Sequence, residues 1–235
     1  MSPTKKALFI AVGGLPSTGN ETLFQELGSS LADTYPDRTI ELLRGPLDFY
    51  PPPFMLGEEE RLEPAISKMD RYWEIGAAYA RETILPALCR SDIVLVKSFG
   101  LAIATRATAY NLGPDDLAEA LRKHHDEKIP KFVTFGPPTY VIPTTPCMDA
   151  GIEQVLAYMR KRRPGELKRV PEEELRRYLL HQVYIFNHYF QGTDQKKPIF
   201  LDARDSHSTM VEQALDILVP MADKHFAIMR CKAVA

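Results

Sequence analysis

Residues 13–22 read GGLPSTGNET and follow the apolar run ALFIAV. The frame Gly14-x-x-x-x-Gly19 is that of a loop whose backbone N–H groups cradle a phosphate at a helix N-terminus. In that frame a Lys comes next, reaching the terminal phosphates, and then a Ser or Thr whose hydroxyl holds Mg²⁺. Here those two positions are Asn20 and Glu21. Asn20 has no charge. Glu21 brings a carboxylate to the place of the phosphate, and Thr22 stands one position late for the metal. Gly14, Ser17, Gly19, Asn20 and Thr22 are the phosphate-binding candidates of this segment. A plain strand-to-helix turn also needs glycines, and Asn20 can cap a helix. The loop alone does not separate the two readings.

The elements that must position it follow from pattern. ALFIAVGG (7–14) is a continuous apolar strand, as expected of a parallel strand buried on both faces. A helix over 20–35 follows, with Leu23, Leu27 and Leu31 along one face. RTIELLR (38–44) and SDIVLVKSFG (91–100) are the next strands. KFVTF and TYVIPTT are short strands, and KPIFLDA (197–203) is the last. A long helical stretch covers 61–88, with Pro64 near its start and Pro86 near its end. Two helical pieces separated by NLGP follow residue 100. Residues 151–190 read as helix, basic turn, helix, and 208–225 as the last helix. Strands alternating with helices give an α/β fold, a parallel sheet with helices on both faces.

The bulk numbers agree. The chain has 235 residues, 45% hydrophobic and 26% charged, enough for a sizeable core. Its 29 basic and 31 acidic residues leave a formal charge of −2. Nothing in that balance points to nucleic acid or an acidic membrane surface. The apolar run before Gly13 is too short for a signal core or a membrane span. Cys89, Cys147 and Cys231 are three cysteines without C-x-x-C spacing. That argues against a disulfide framework or a zinc site and fits a reducing cytoplasm. No linker divides the chain, so residues 1–235 are expected to form one domain.

The ordered set of motifs resembles thymidylate kinase, a P-loop nucleoside monophosphate kinase. The set is GLPSTGNET after the first strand, then LLRGP, MDRYWEIGAAYARETILPAL, SDIVLVKSFG, RKRRPGELKRVPEEELRRY and IFLDARDSHSTMVEQAL. The resemblance implies a P-loop NTPase-type three-layer sandwich around a five-stranded parallel sheet. It implies ATP-to-dTMP phosphoryl transfer with Mg²⁺, and a homodimer formed through helices. Arg44 in LLRGP matches the family's arginine near the acceptor phosphate. Arg71 in MDRYWEI matches the arginine that holds the monophosphate, a task suited to a planar guanidinium. The basic segment 160–169 matches a lid that closes on ATP, spanning about 157–172. It offers Arg160 and Arg163 as catalytic and Arg169 as phosphate-binding candidates.

The departures fall on the chemistry. Ser67 stands where the family stacks a Phe on the base. Lys97-Ser98-Phe99 and Ala102 stand where the family has Asp-Arg-Tyr and a Ser. Lys97 is then the catalytic candidate that replaces the missing loop lysine, neutralising phosphate charge from another strand. It can instead face water, or pair with Glu21 and fill the phosphate site. The sequence therefore predicts a nucleotide-binding protein, for dTMP or another monophosphate and ATP, that is a pseudokinase. The alternative is an active kinase using rearranged residues with ATP and Mg²⁺. A protein partner is a further expectation of the pseudokinase reading.

Overall fold

The computed structural model describes residues 7–15, 18–46, 71, 74–99, 138–145, 148–162, 170–188 and 198–234. Five parallel strands make one sheet: β1 (Leu8–Val12), β2 (Ile40–Arg44), β3 (Ile93–Lys97), β4 (Thr139–Thr144) and β5 (Ile199–Asp202). Their spatial order is β2-β3-β1-β4-β5, and every adjacent pair is parallel. The expected KFVTF strand lies outside the described residues.

Helices α1 (Asn20–Thr34) and α5 (His207–Val234) cover one face of the sheet. Helices α2 (residues 74–90), α3 (Met148–Arg162) and α4 (Glu172–His188) cover the other. Side chains alternate along each strand and so feed two separate cores. Leu8, Ile10, Val12, Ile93 and Leu95 pack with Leu23, Phe24, Leu27 and Leu31 of α1 and with Leu218 of α5. Phe9, Ala11, Val94 and Val96 pack with Ile84, Val155 and Leu179. The three layers expected from the sequence are present.

Two helices differ from the expectation. α2 widens into a π-helical turn at Ala80–Ile84, where the N–H of Leu85 bonds to the carbonyl of Ala80, before its last stretch, Leu85–Arg90. The ring of Pro86 cannot continue an α ladder, and the wider turn just before it removes the clash. α5 runs nine residues beyond the expected end at His225 and passes through Pro220. The residue that ends α1 meets its middle: the Tyr35 hydroxyl donates to Asp223 Oδ1 at 2.9 Å and lies 3.0 Å from the Val219 carbonyl. The Arg38 guanidinium sits 4.5 Å from the centre of the Phe226 ring, a contact that also stabilises the last turns of the helix.

Pro143 lies inside β4, although the strand has neighbours on both sides. β1 pairs with β4 only as far as Val12 and Val141. Beyond that point the proline has no ladder donor to supply, which is where a sheet tolerates it.

Candidate functional site

β1 hands over to the glycine loop at the carboxyl edge of the sheet. The Gly13 N–H donates to the Val141 carbonyl and the Leu15 N–H to the Pro143 carbonyl, both at 3.1 Å. Leu15 is completely buried. A Cβ at Gly14 would come 2.2 Å from the Pro143 carbonyl oxygen. The first part of the loop is thus sealed to β4, and its donors serve the fold. Thr18 is buried and its hydroxyl donates to the Leu15 carbonyl at 2.6 Å.

Gly19 then turns the chain at φ +84° into α1. Asn20 is the first helical residue, not the cap; the cap is Gly19, without a side chain to bond the helix. The Asn20 amide instead donates back to the carbonyls of Leu15 (2.8 Å) and Gly14 (3.3 Å). Its Oδ1 is buried and has no partner among the described residues. The neutral amide braces the loop where a lysine would reach out of it. Thr22 lies on the exposed side of the first turn. The bond from Leu23 N–H to the Gly19 carbonyl (2.9 Å) opens the helical ladder. The amides before it are the ones a helix start presents to an anion.

The charged groups converge by register. Arg44 pairs with Lys97, and Lys97 with Val12, so the ends of β2, β3 and β1 stand level. Ile93 and Leu95 face α1, and the period of two carries Lys97 to the same face. There its ammonium pairs directly with the Glu21 carboxylate, and Arg44 approaches the other oxygen at 3.7 Å. Gln25 donates to that oxygen at 3.3 Å. The Lys97 side chain is 16% exposed and Glu21 is 47% exposed. Lys97 therefore does not face water, and the pair is sealed on the strand side and wet on the helix side. The Lys97 ammonium, helped by Gln25 and Arg44, holds the Glu21 carboxyl below its usual range against partial desolvation. These groups stand at the carboxyl ends of β1 and β3, where the strand order reverses, the place at which open α/β sheets take their ligands.

Mg²⁺ does not fit this arrangement. A carboxylate can ligate it, but both Glu21 oxygens already face cations or an amide donor. A metal there would stand against an ammonium and a guanidinium. Among the described residues no cluster of three His, Cys, Asp or Glu side chains is placed to hold a metal ion.

Two neighbours meet the loop only in the folded chain. His207 starts α5, whose first turn is capped by the Ser206 hydroxyl accepting from the Thr209 N–H at 3.2 Å. Its imidazole lies against Gly19, where a Cβ would come 1.9 Å from Nε2. Ser98, the residue after Lys97, holds φ +55°, and its N–H donates to the Val12 carbonyl at 2.9 Å. A left-handed serine at a strand end is strain of the kind kept at ligand sites.

The remaining candidates are placed less completely. Arg71 is helical and exposed. Arg160 at the end of α3 pairs with Glu172 at the start of α4 at 2.5 Å. Glu172 also meets Arg176 at 3.4 Å, and Arg176 pairs with Glu153, so ion pairs clasp the two helices that flank the expected lid. Ser17, Arg163 and Arg169, with most of the lid, lie outside the described residues, as do Ser67 and Ala102.

No family model matches the chain, and no curated protein does. Solved structures do. Deoxyadenosine kinase from M. mycoides with the products dCMP and a flexible dCDP bound is 12% identical, with TM-score 0.54 over 90% of this chain and 98% of that one. The same kinase with dATP bound is 12% identical, with TM-score 0.54 over 89% and 98%. The likeness shows the fold, a five-stranded parallel sheet between layers of helices in a P-loop NTPase-like α/β arrangement. Both neighbours are deoxyadenosine kinases, not thymidylate kinases.

Proposed function

We propose that the chain is a thymidylate-kinase-like nucleotide-binding protein whose phosphate loop no longer supports ATP-to-dTMP transfer: a pseudokinase. The observation that carries this reading is the Glu21 carboxylate at the loop, paired with Lys97 and close to Arg44. Phosphoryl transfer depends on positioning and on charge stabilisation. Removing one well-placed donor costs about 3 kcal/mol of barrier, and here the loop lysine is replaced and the strand-end cation is already engaged. The nucleoside-kinase fold supports nucleotide as the ligand class, dTMP or another monophosphate with ATP. The same resemblance supports a homodimer, the cysteine usage a reducing cytoplasm, the undivided chain a single domain, and the pseudokinase reading a protein partner.

A second reading is an active nucleoside monophosphate kinase in which Lys97 replaces the loop lysine. The arrival of Lys97 beside the first turn of α1 favours it. One assay decides. Purified protein is incubated with ATP, Mg²⁺ and a panel of nucleoside and deoxynucleoside monophosphates, and diphosphates are read by mass spectrometry. No diphosphate is expected. A diphosphate formed by the parent and lost in Arg71→Ala would establish the kinase and name its substrate.

A further inference from the structure

The Arg44 side chain is 63% exposed, against 47% for Glu21 and 16% for Lys97. It stands 3.7 Å from Glu21, beyond hydrogen-bonding reach, so its backbone decides where its charge lies. We propose that Tyr79 is the positioning residue that sets Arg44 for a ligand phosphate, its hydroxyl holding the Arg44 carbonyl from the opposite face of the sheet. This rests on the nucleotide-binding reading above and adds what fixes one of its cations.

The ends of β2 and β3 and the helix α2 build the contact. β2 is an edge strand with a neighbour on one side only, so its end has less ladder support than those of β1 and β3. Gly45 lets that end close on β3: a Cβ there would come 2.0 Å from the Lys97 carbonyl oxygen. From α2 the Tyr79 hydroxyl then donates to the Arg44 carbonyl. The Arg44 side chain points the other way, towards Glu21 on α1. Tyr79 is itself held. Its ring lies 6.4 Å from that of Phe99, centre to centre, and Phe99 lies 6.1 Å from Phe9 of β1. The π-helical turn that begins at the next residue buries Ala80 and Ile84 in the same core. A hydroxyl fixed by the core thus fixes the backbone of an exposed guanidinium. A guanidinium meets phosphate through paired, parallel hydrogen bonds, so a small tilt of its base misaligns both.

Calorimetric titration of the intact protein with ADP and with dTMP tests this. Arg44→Gln removes the charge and is expected to weaken the tighter of the two nucleotides at least about tenfold. Tyr79→Phe keeps the ring against Phe99 and removes only the hydroxyl; it should weaken the same nucleotide about three- to tenfold. In the Arg44→Gln background, Tyr79→Phe should change binding by less than about 1.5-fold, because no guanidinium is left to position. A role in packing alone would weaken binding equally in both backgrounds. Tyr79→Phe should also flatten the salt dependence of the dissociation constant, as Arg44→Gln does. Circular dichroism melts of each variant check that the fold survives. Parent-like binding in Tyr79→Phe or in Arg44→Gln, or additive losses in the double variant, overturns the inference and leaves nucleotide binding intact. Absence of binding of both nucleotides to the parent removes the nucleotide-binding reading and the inference with it.

Discussion

His207 packs so closely on Gly19 that a methyl group at position 19 would overlap its imidazole, Cβ to Nε2 being 1.9 Å. The backbone of Gly19 is left-handed as well, at φ +84°. Gly19→Ala therefore meets two separate penalties: about 1–2 kcal/mol for the left-handed backbone, and displacement of His207. In urea unfolding, the double variant Gly19→Ala/His207→Ala should recover the second and not the first. A strictly additive double-mutant cycle would contradict the contact.

Gly14 and Gly28 form a contrasting pair. A Cβ at Gly14 meets the Pro143 carbonyl oxygen at 2.2 Å, a backbone atom that the sheet holds in place. A Cβ at Gly28 meets the end of the Leu42 side chain at 2.6 Å, and that side chain is 38% exposed and free to turn. Gly14→Ala is expected to cost about 1–3 kcal/mol. Gly28→Ala is expected to be near neutral, since alanine's helix propensity offsets the rotation of Leu42. Chemical denaturation of the two variants checks the order.

The Glu21–Lys97 pair gives stability a defined acid limb. The folded-state pKa of Glu21 lies below its ordinary 4.5. The pair's contribution is therefore complete above that value and is lost as pH falls through the lower, folded-state value. The melting-temperature gap between the parent and Glu21→Gln should narrow on acidification below about pH 4.5. The gap is small throughout, because half of the carboxylate faces water, where such pairs contribute about 0–1 kcal/mol.

Tyr35 sets the alkaline limb. Burial, with Asp223 accepting its hydrogen bond, pushes the phenol from 10.0 up to about 12. A raised folded-state pKa means the contribution is full below 10.0 and disappears as pH rises through about 12. Across that window the parent should lose stability more steeply than Tyr35→Phe. Ultraviolet absorbance titration of the two proteins should assign the late-ionising tyrosine to position 35.

Pro220 interrupts the ladder of a helix otherwise 28 residues long. Its side is exposed, so replacing the ring leaves no cavity. Pro220→Ala restores one helical hydrogen bond and removes a ring clash, against a gain in unfolded-chain freedom of about 0.4–1 kcal/mol. A net stabilisation of about 1–2 kcal/mol is expected in thermal melts.

The sequence by itself determined the layers. Apolar runs such as ALFIAV and DIVLV can be satisfied only as strands covered on both faces, and the leucines of α1 recur at helical spacing. The place of the glycine loop after the first strand was legible too, but that Gly14 must be glycine because it lies against Pro143 was decided by the tertiary structure. The exchange of chemistry was also legible: a carboxylate at 21 and a lysine at 97. What they do to each other was not. Register across β2, β3 and β1 brings Lys97 level with Arg44, and strand alternation points Lys97 at α1. No local pattern encodes that meeting across 76 positions of chain. The same holds for Asn20, whose amide found two loop carbonyls instead of capping the helix, and for His207, which reaches Gly19 only because β5 and α5 fold back beside α1. Local sequence fixes which residues stand at the ends of strands and helices; tertiary packing decides which of those ends face one another, and the candidate site is made of such ends.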